Sequence, residues 1–187
     1  AMVKKDRPDP SRLEIVSELR ITTDAVWRKL SAQLQGMECY MERANGPAEW
    51  TTRQVLCHLL GAPGWRPVSI LSTFAKGEPA DLPVIEVEPG QIHVTPERQM
   101  MKLQQFKNAL DRHRRETFEY LETLGDEDLQ RKARIARFPP LLGSDEITVP
   151  TWVGAHFVVH WSDHAGQLAK IRKTVGLPER TELAVAT

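Results

Sequence analysis

The chain has 187 residues, enough to bury one substantial core, and its length favours a single domain over 1–187. Its 25 Lys and Arg balance 25 Asp and Glu, so no overall charge draws it to nucleic acid or an anionic membrane. Apolar residues make up 41%, too many for a chain disordered throughout, yet no apolar run approaches the ~18 residues of a membrane span.

Residues 1–10 are charged and Pro-bearing, without the apolar stretch of a signal peptide, so a flexible segment and a cytoplasmic setting are expected. Thirteen prolines leave Pro-free windows at 11–46, 48–62, 97–138 and 151–177, which predict four helices, since proline ends helices more reliably than any other residue. The first opens at Ser11 and carries Leu13, Val16, Leu19, Thr23, Val26, Trp27, Leu30, Leu34 and Met37 at steps of three and four. The second begins at Thr51, whose spacing to Gln54 is that of a capping box, and continues through Val55, Leu56, Leu59 and Leu60. Gly61, Pro63, Gly64 and Pro67 then predict a break or kink. Val84–Val87 and Gln91–Val94 flank Glu88-Pro89-Gly90 in the pattern of a short hairpin, either a lid or merely a long connection. The third helix starts at Thr95-Pro96, with Leu103, Phe106, Leu110, His113, Thr117, Leu121 and Leu124 on one stripe. After Gly125 comes a looser region, 126–149, whose basic cluster of Arg131, Lys132, Arg134 and Arg137 reads first as a solvated face and only second as a phosphate site. Any strand content belongs at 78–94 and 126–149. The fourth helix runs from about Pro150 through Phe157, His160, His164, Leu168 and Ile171 to a stop at Gly176-Leu177-Pro178, leaving 178–187 as a tail. The fold class is therefore all-α, a four-helix bundle with a long connection between helices 2 and 3.

Three of the six histidines, His156, His160 and His164, recur every four residues in the fourth helix. Residues four apart share a face, with Cβ atoms roughly 5–6 Å apart, so successive imidazoles can bind one cation. A histidine on an apolar stripe is more often a hydrogen-bonded core residue than a ligand. Two unpartnered imidazoles beside Phe157, Leu168 and Ile171 would, however, each cost roughly 1–3 kcal/mol, which a shared ion would remove. His58, in the otherwise apolar turn Val55–Leu60, can face this helix across an antiparallel bundle. Cys57, one position away, points about 100° around the helix and should pack instead; Cys39 and Cys57 are too few for a disulfide framework.

In these residues the chain resembles the DinB-like, YfiT-like superfamily of four-helix-bundle metalloenzymes. Trp50-Thr51 precedes a helix bearing His58-Leu59, and His160-x-x-x-His164 is followed by Gly166-Gln167-Leu168. The resemblance spans roughly the whole chain. It implies a metal triad of His58, His160 and His164, binding nickel or zinc, and a bacterial, small-molecule enzyme whose chemistry is either transfer involving a low-molecular-weight thiol or hydrolysis. Thiol-dependent S-transfer is the first expectation, because known activities in the superfamily include it, and a homodimer is compatible with all of this. His156 matches no family ligand and reads as a pocket or core residue, His113 as a satisfied core residue, and His93 as an exposed loop residue. Gln167 and Gln54, one turn from ligands, either hold an imidazole N–H or pack. No nucleophile elbow, phosphate-cradling loop or dinucleotide fingerprint is present, so metal chemistry is the enzymatic option. The rival is a non-enzymatic binding or stress-response bundle with a structural metal or none.

Overall fold

The computed structural model describes residues 11–86, 90–135 and 145–180. Helix α1 (Arg12–Leu34) starts at a capping box in which the Glu14 carboxylate accepts the Ser11 N–H at 2.7 Å. It ends before Met37, where the periodicity had placed its end, because the chain turns at Gly36 with φ +72°. Met37 remains fully buried, so the apolar stripe outlives the helix. Helix α2 (Thr52–Leu60) begins at the expected Thr51/Gln54 box and stops at Gly61, φ +70°. The predicted break follows, then the short α3 (Pro67–Leu71).

The predicted third helix is two. Helix α4 (Pro96–Met100) is capped by Thr95 Oγ1, and α5 (Leu103–Thr123) begins after an extended Met101. The cause lies in α2. The Arg53 guanidinium donates to the carbonyls of Arg98 at 2.8 Å and Met101 at 2.9 Å, acceptors that an unbroken helix would give to the N–H groups of residues 102 and 105. The Lys102 N–H turns instead to the Gln105 side chain at 2.7 Å. After α6 (Asp126–Leu129), the last helix opens at Thr148 as α7 (Val149–Val153), continues through a π-helical stretch, Gly154–His160, and ends as α8 (Trp161–Thr174). Gly176, φ +76°, then lets the Leu177 N–H reach the Arg172 carbonyl at 2.9 Å, closing the helix as the Gly-Leu-Pro signal predicts.

The strands fall in the two regions expected to hold them, but not as a hairpin. Strand β1 (Val84–Ile85) pairs in parallel with β2 (Lys132–Ile135), Val84 opposite Arg134, and β2 pairs antiparallel with β3 (Glu146–Thr148). The described residues 91–94 form no strand, so the predicted partner of Val84–Ile85 is replaced by a segment some fifty positions away. Residues 87–89 of that expected hairpin, and Arg137 of the basic cluster, lie outside the described residues. Arg131, Lys132 and Arg134 are paired with Asp128, Glu146 and Asp145 at 2.6–3.0 Å, as the solvated-face reading requires.

Helices α1, α2, α5 and the α7–α8 helix form the bundle, with α1 and α2 both lying against α8 and both against α5. Leu30, Leu34, Leu56, Phe106, Leu110, Phe118, Phe157, Trp161 and Leu168 are buried at its centre. Arg172, only 1% exposed, donates to the carbonyls of Gln33, Gln35 and Pro178 at 2.5–2.9 Å, so the tail begins docked on the end of α1. Among the described residues no helix is long and apolar enough to cross a membrane.

Candidate metal centre

The bundle brings His58 of α2 to His160 and His164 of the last helix. His58 Nε2 lies 2.9 Å from His160 Nε2, and His164 Nε2 lies 3.1 Å from it. Among the described residues this is the group of His, Cys, Asp and Glu side chains whose ligand atoms converge enough to hold a metal ion. Their outer nitrogens decide which way the lone pairs point. His58 Nδ1 donates to the Gln91 carbonyl at 2.6 Å, and His164 Nδ1 to the Gln167 side-chain oxygen at 2.9 Å. Each neutral ring therefore turns an unprotonated Nε2 toward His160. His160 Nε2 can donate a proton to one of them and not to both, so at least one Nε2 lone pair is left without a donor. A cation resolves that conflict. Nitrogens about 2.0–2.1 Å from a common ion stand about 2.9–3.4 Å from one another, the spacing found here.

Burial favours the neutral form of His160 and His164. The His160 pKa is pushed down to about 3, chiefly by desolvation and then by the nearby His164 and His58, and His164 is lowered mainly by burial against a smaller upward pull from Gln167. Trp50, immediately before α2, covers the cluster, its ring centroid 4.8 Å from that of His58 and stacked at 6.0 Å on His164. The Trp50-Thr51 motif signalled this position in the sequence, but not the ring's role as a roof.

The candidate residues divide as follows. Gln167 orients a ligand candidate, whereas Gln54 is spent on the α2 capping box. Cys57 is buried, its thiol pushed up by desolvation, and packs in the core. His93 does not simply dangle in a loop. It adopts φ +52°, and its carbonyl accepts from Arg98 Nη1 at 3.0 Å. The same guanidinium nitrogen donates to the carbonyls of Cys57 at 3.2 Å and Gly61 at 2.6 Å. Arg98 thus ties the segment that presents the Gln91 carbonyl to the end of the helix that presents His58. Nothing in the sequence marked Arg98, which reads as an ordinary surface residue in the first turn of a capped helix.

Even spacing in sequence does not make the three histidines of the last helix equivalent. His160 and His164 are separated by an α-helical turn and their ring centroids lie 4.7 Å apart. His156 and His160 span the π-helical stretch, their centroids are 5.6 Å apart, and His156 stacks on Trp152 instead. π-Helical turns inside α-helices concentrate at functional sites, and here the stretch holds both His156 and His160 and changes the phase between them.

No protein-family model and no curated protein sequence matches the chain. Among solved structures the fold is shared with YfiT from Bacillus subtilis, a probable metal-dependent hydrolase with an unusual four-helix bundle topology, at 16% identity and a TM-score of 0.66. The match covers 92% of this chain and 94% of that one, so the YfiT-like four-helix bundle expected from the histidine and tryptophan motifs is the fold this chain adopts.

Proposed function

We propose that the protein is a metal-dependent enzyme acting on small molecules, with His58, His160 and His164 as the ligands of one divalent ion. The carrying observation is the convergence of three imidazoles without a fourth His, Cys, Asp or Glu side chain among the described residues. A structural site is closed by four protein ligands; a catalytic one keeps a position for water or substrate. Three imidazoles suit nickel or zinc. When bound, such an ion supplies Lewis acidity that makes a water or thiol nucleophilic near neutral pH. The chain's own residues do the rest. Gln91 and Gln167 fix the tautomers of His58 and His164, Arg98 fixes the segment carrying Gln91, and Trp50 shields one side from water. The likeness to YfiT supports hydrolysis over the thiol transfer that the sequence resemblance put first.

The test begins with metal analysis of protein purified without an affinity tag, which should give about one divalent ion per chain. Replacing any one of the three histidines by Ala should abolish retention, while His113→Ala and His156→Ala should keep the ion. Ester and amide substrates are then offered without thiol. Turnover that disappears in His164→Ala supports the hydrolase. Turnover only with added thiol replaces it by S-transfer, and retained metal in His164→Ala removes the site.

A further inference from the structure

Two more imidazoles are buried without the hydrogen bonds that burial ordinarily demands. His113 Nδ1 on α5 and His156 Nε2 on the π-helical stretch are shielded from solvent and have no hydrogen-bond partner among the described residues. Trp65 lies against both rings, 5.7 Å from His113 and 5.4 Å from His156 between centroids. It comes from the break after α2, and its seat is made by a glycine. A Cβ on Gly61 would meet Trp65 Cε3 at 2.7 Å, so only a residue without a side chain lets the indole settle there. The group borders the metal candidate, since the His156 ring is 5.6 Å from that of His160.

The surroundings have a sign. The charged groups that act on His113 are Arg66, Arg98 and Arg112 against Glu116 alone. Arg66 is paired with Glu116 at 2.8 Å, which leaves an excess of positive charge from Arg98 and Arg112. Burial also holds His113 neutral, its pKa pushed down to about 4, so the ring keeps a single N–H to place on whichever nitrogen a partner calls for. An anionic oxygen is the partner that suits a positive field and N–H donors, and the indole offers it an apolar body contact.

We propose that His113, His156 and Trp65 form a binding site for an organic carboxylate beside the metal candidate, the two imidazoles donating to its oxygens and the indole covering its carbon frame. This gives the substrate class of the enzyme proposed above and rests on that reading for its catalytic meaning; the binding itself stands on these three residues.

The probe is benzoate, titrated calorimetrically at pH 7 into the full chain, with and without one equivalent of zinc, beside benzamide as its neutral counterpart. Benzoate should bind at least tenfold more tightly than benzamide. His113→Leu and His156→Leu should each weaken it about tenfold or more while keeping zinc affinity within about threefold, and His113→Gln, which retains an N–H donor, should recover part of the loss. Because each Leu removes a buried unpartnered nitrogen, these variants should melt no lower than the parent, whereas a histidine that merely supports the fold would lower the melting temperature. Absence of benzoate binding in both forms, equal binding of benzamide, or unchanged affinity in both Leu variants overturns the proposal. A parent protein that binds benzoate but no zinc would instead sink the metal reading and leave the carboxylate site standing.

Discussion

Replacing Arg98 by Met removes a charge and its donors while keeping much of the side chain's bulk. One Arg98 nitrogen serves the carbonyls of Cys57, Gly61 and His93 at 2.6–3.2 Å. Hydrogen bonds from a charged donor contribute about 1.5–3 kcal/mol each, but three sharing one guanidinium are not additive, and some of the freed carbonyls will find water. A net loss of about 3 kcal/mol follows, a large share of the 5–15 kcal/mol typical of a domain and about 6–12 °C in Tm for a chain of this size. The loss should also reach the metal. Once the 91–93 segment is released, the Gln91 carbonyl no longer holds His58 Nδ1–H, and removing such an outer partner weakens metal affinity by about 10–100-fold. Denaturant unfolding of the metal-free protein reads the first effect and competition with a chromophoric chelator the second, while Arg98→Lys should recover part of both. An Arg98→Met protein that loses stability yet binds metal as the parent does would refute the link from Arg98 to His58.

Three further outcomes are expected. Gln167→Leu should weaken metal binding about tenfold or more with little change in stability, since it removes the acceptor of His164 Nδ1–H; unchanged affinity in the same chelator competition would remove Gln167 from the site. Gly61→Ala should cost about 2–4 kcal/mol in denaturant unfolding, combining left-handed backbone strain with the indole clash, and should shift tryptophan emission; a neutral effect would mean that Trp65 does not pack on Gly61. The folded metal-free protein resists protonating His160, with a pKa of about 3, and His113, with a pKa of about 4, whereas the unfolded chain takes up both protons below about 6.5. Stability should therefore be fully present above about pH 6.5, fall progressively as the pH drops below that, and level off only below about 4 and 3; denaturation midpoints that stay level between pH 7 and 4 would contradict the burial of these rings.

Much of this architecture is written locally. The caps at Ser11, Thr51, Thr95 and Thr148 and the glycine stop after α8 are short-range hydrogen-bond signals, so helix starts could be read to within a residue or two. The convergence of His58 with histidines of the last helix was legible from helical spacing on an apolar stripe, but the choice of His160 and His164 over the equally spaced His156 came from the family resemblance. What escaped was set by distant partners. Arg53 breaks the third helix by taking carbonyls some forty-five positions away, and Val84–Ile85 pair with a strand about fifty positions on. Trp65 looked like part of a turn because the attraction that seats it, the bare backbone of Gly61, is invisible as a pattern. The π-helical stretch has no breaker residue to announce it beyond Gly154.

That stretch also fixes a length as firmly as the motifs fix identities. Each residue of an α-helix turns the chain by about 100°, and a π-helical turn takes up one residue more, so closing the stretch as ordinary α-helix at its present length would rotate everything on its N-terminal side by about that angle. His160 and His164 would stay facing α2, while Trp152 and His156 would swing away from Trp65. Two halves of one helix are thereby phased independently, the later half to His58 and the earlier half to α5 and the α2–α3 turn. Between them, the number of residues is as much a part of the site as the histidines themselves.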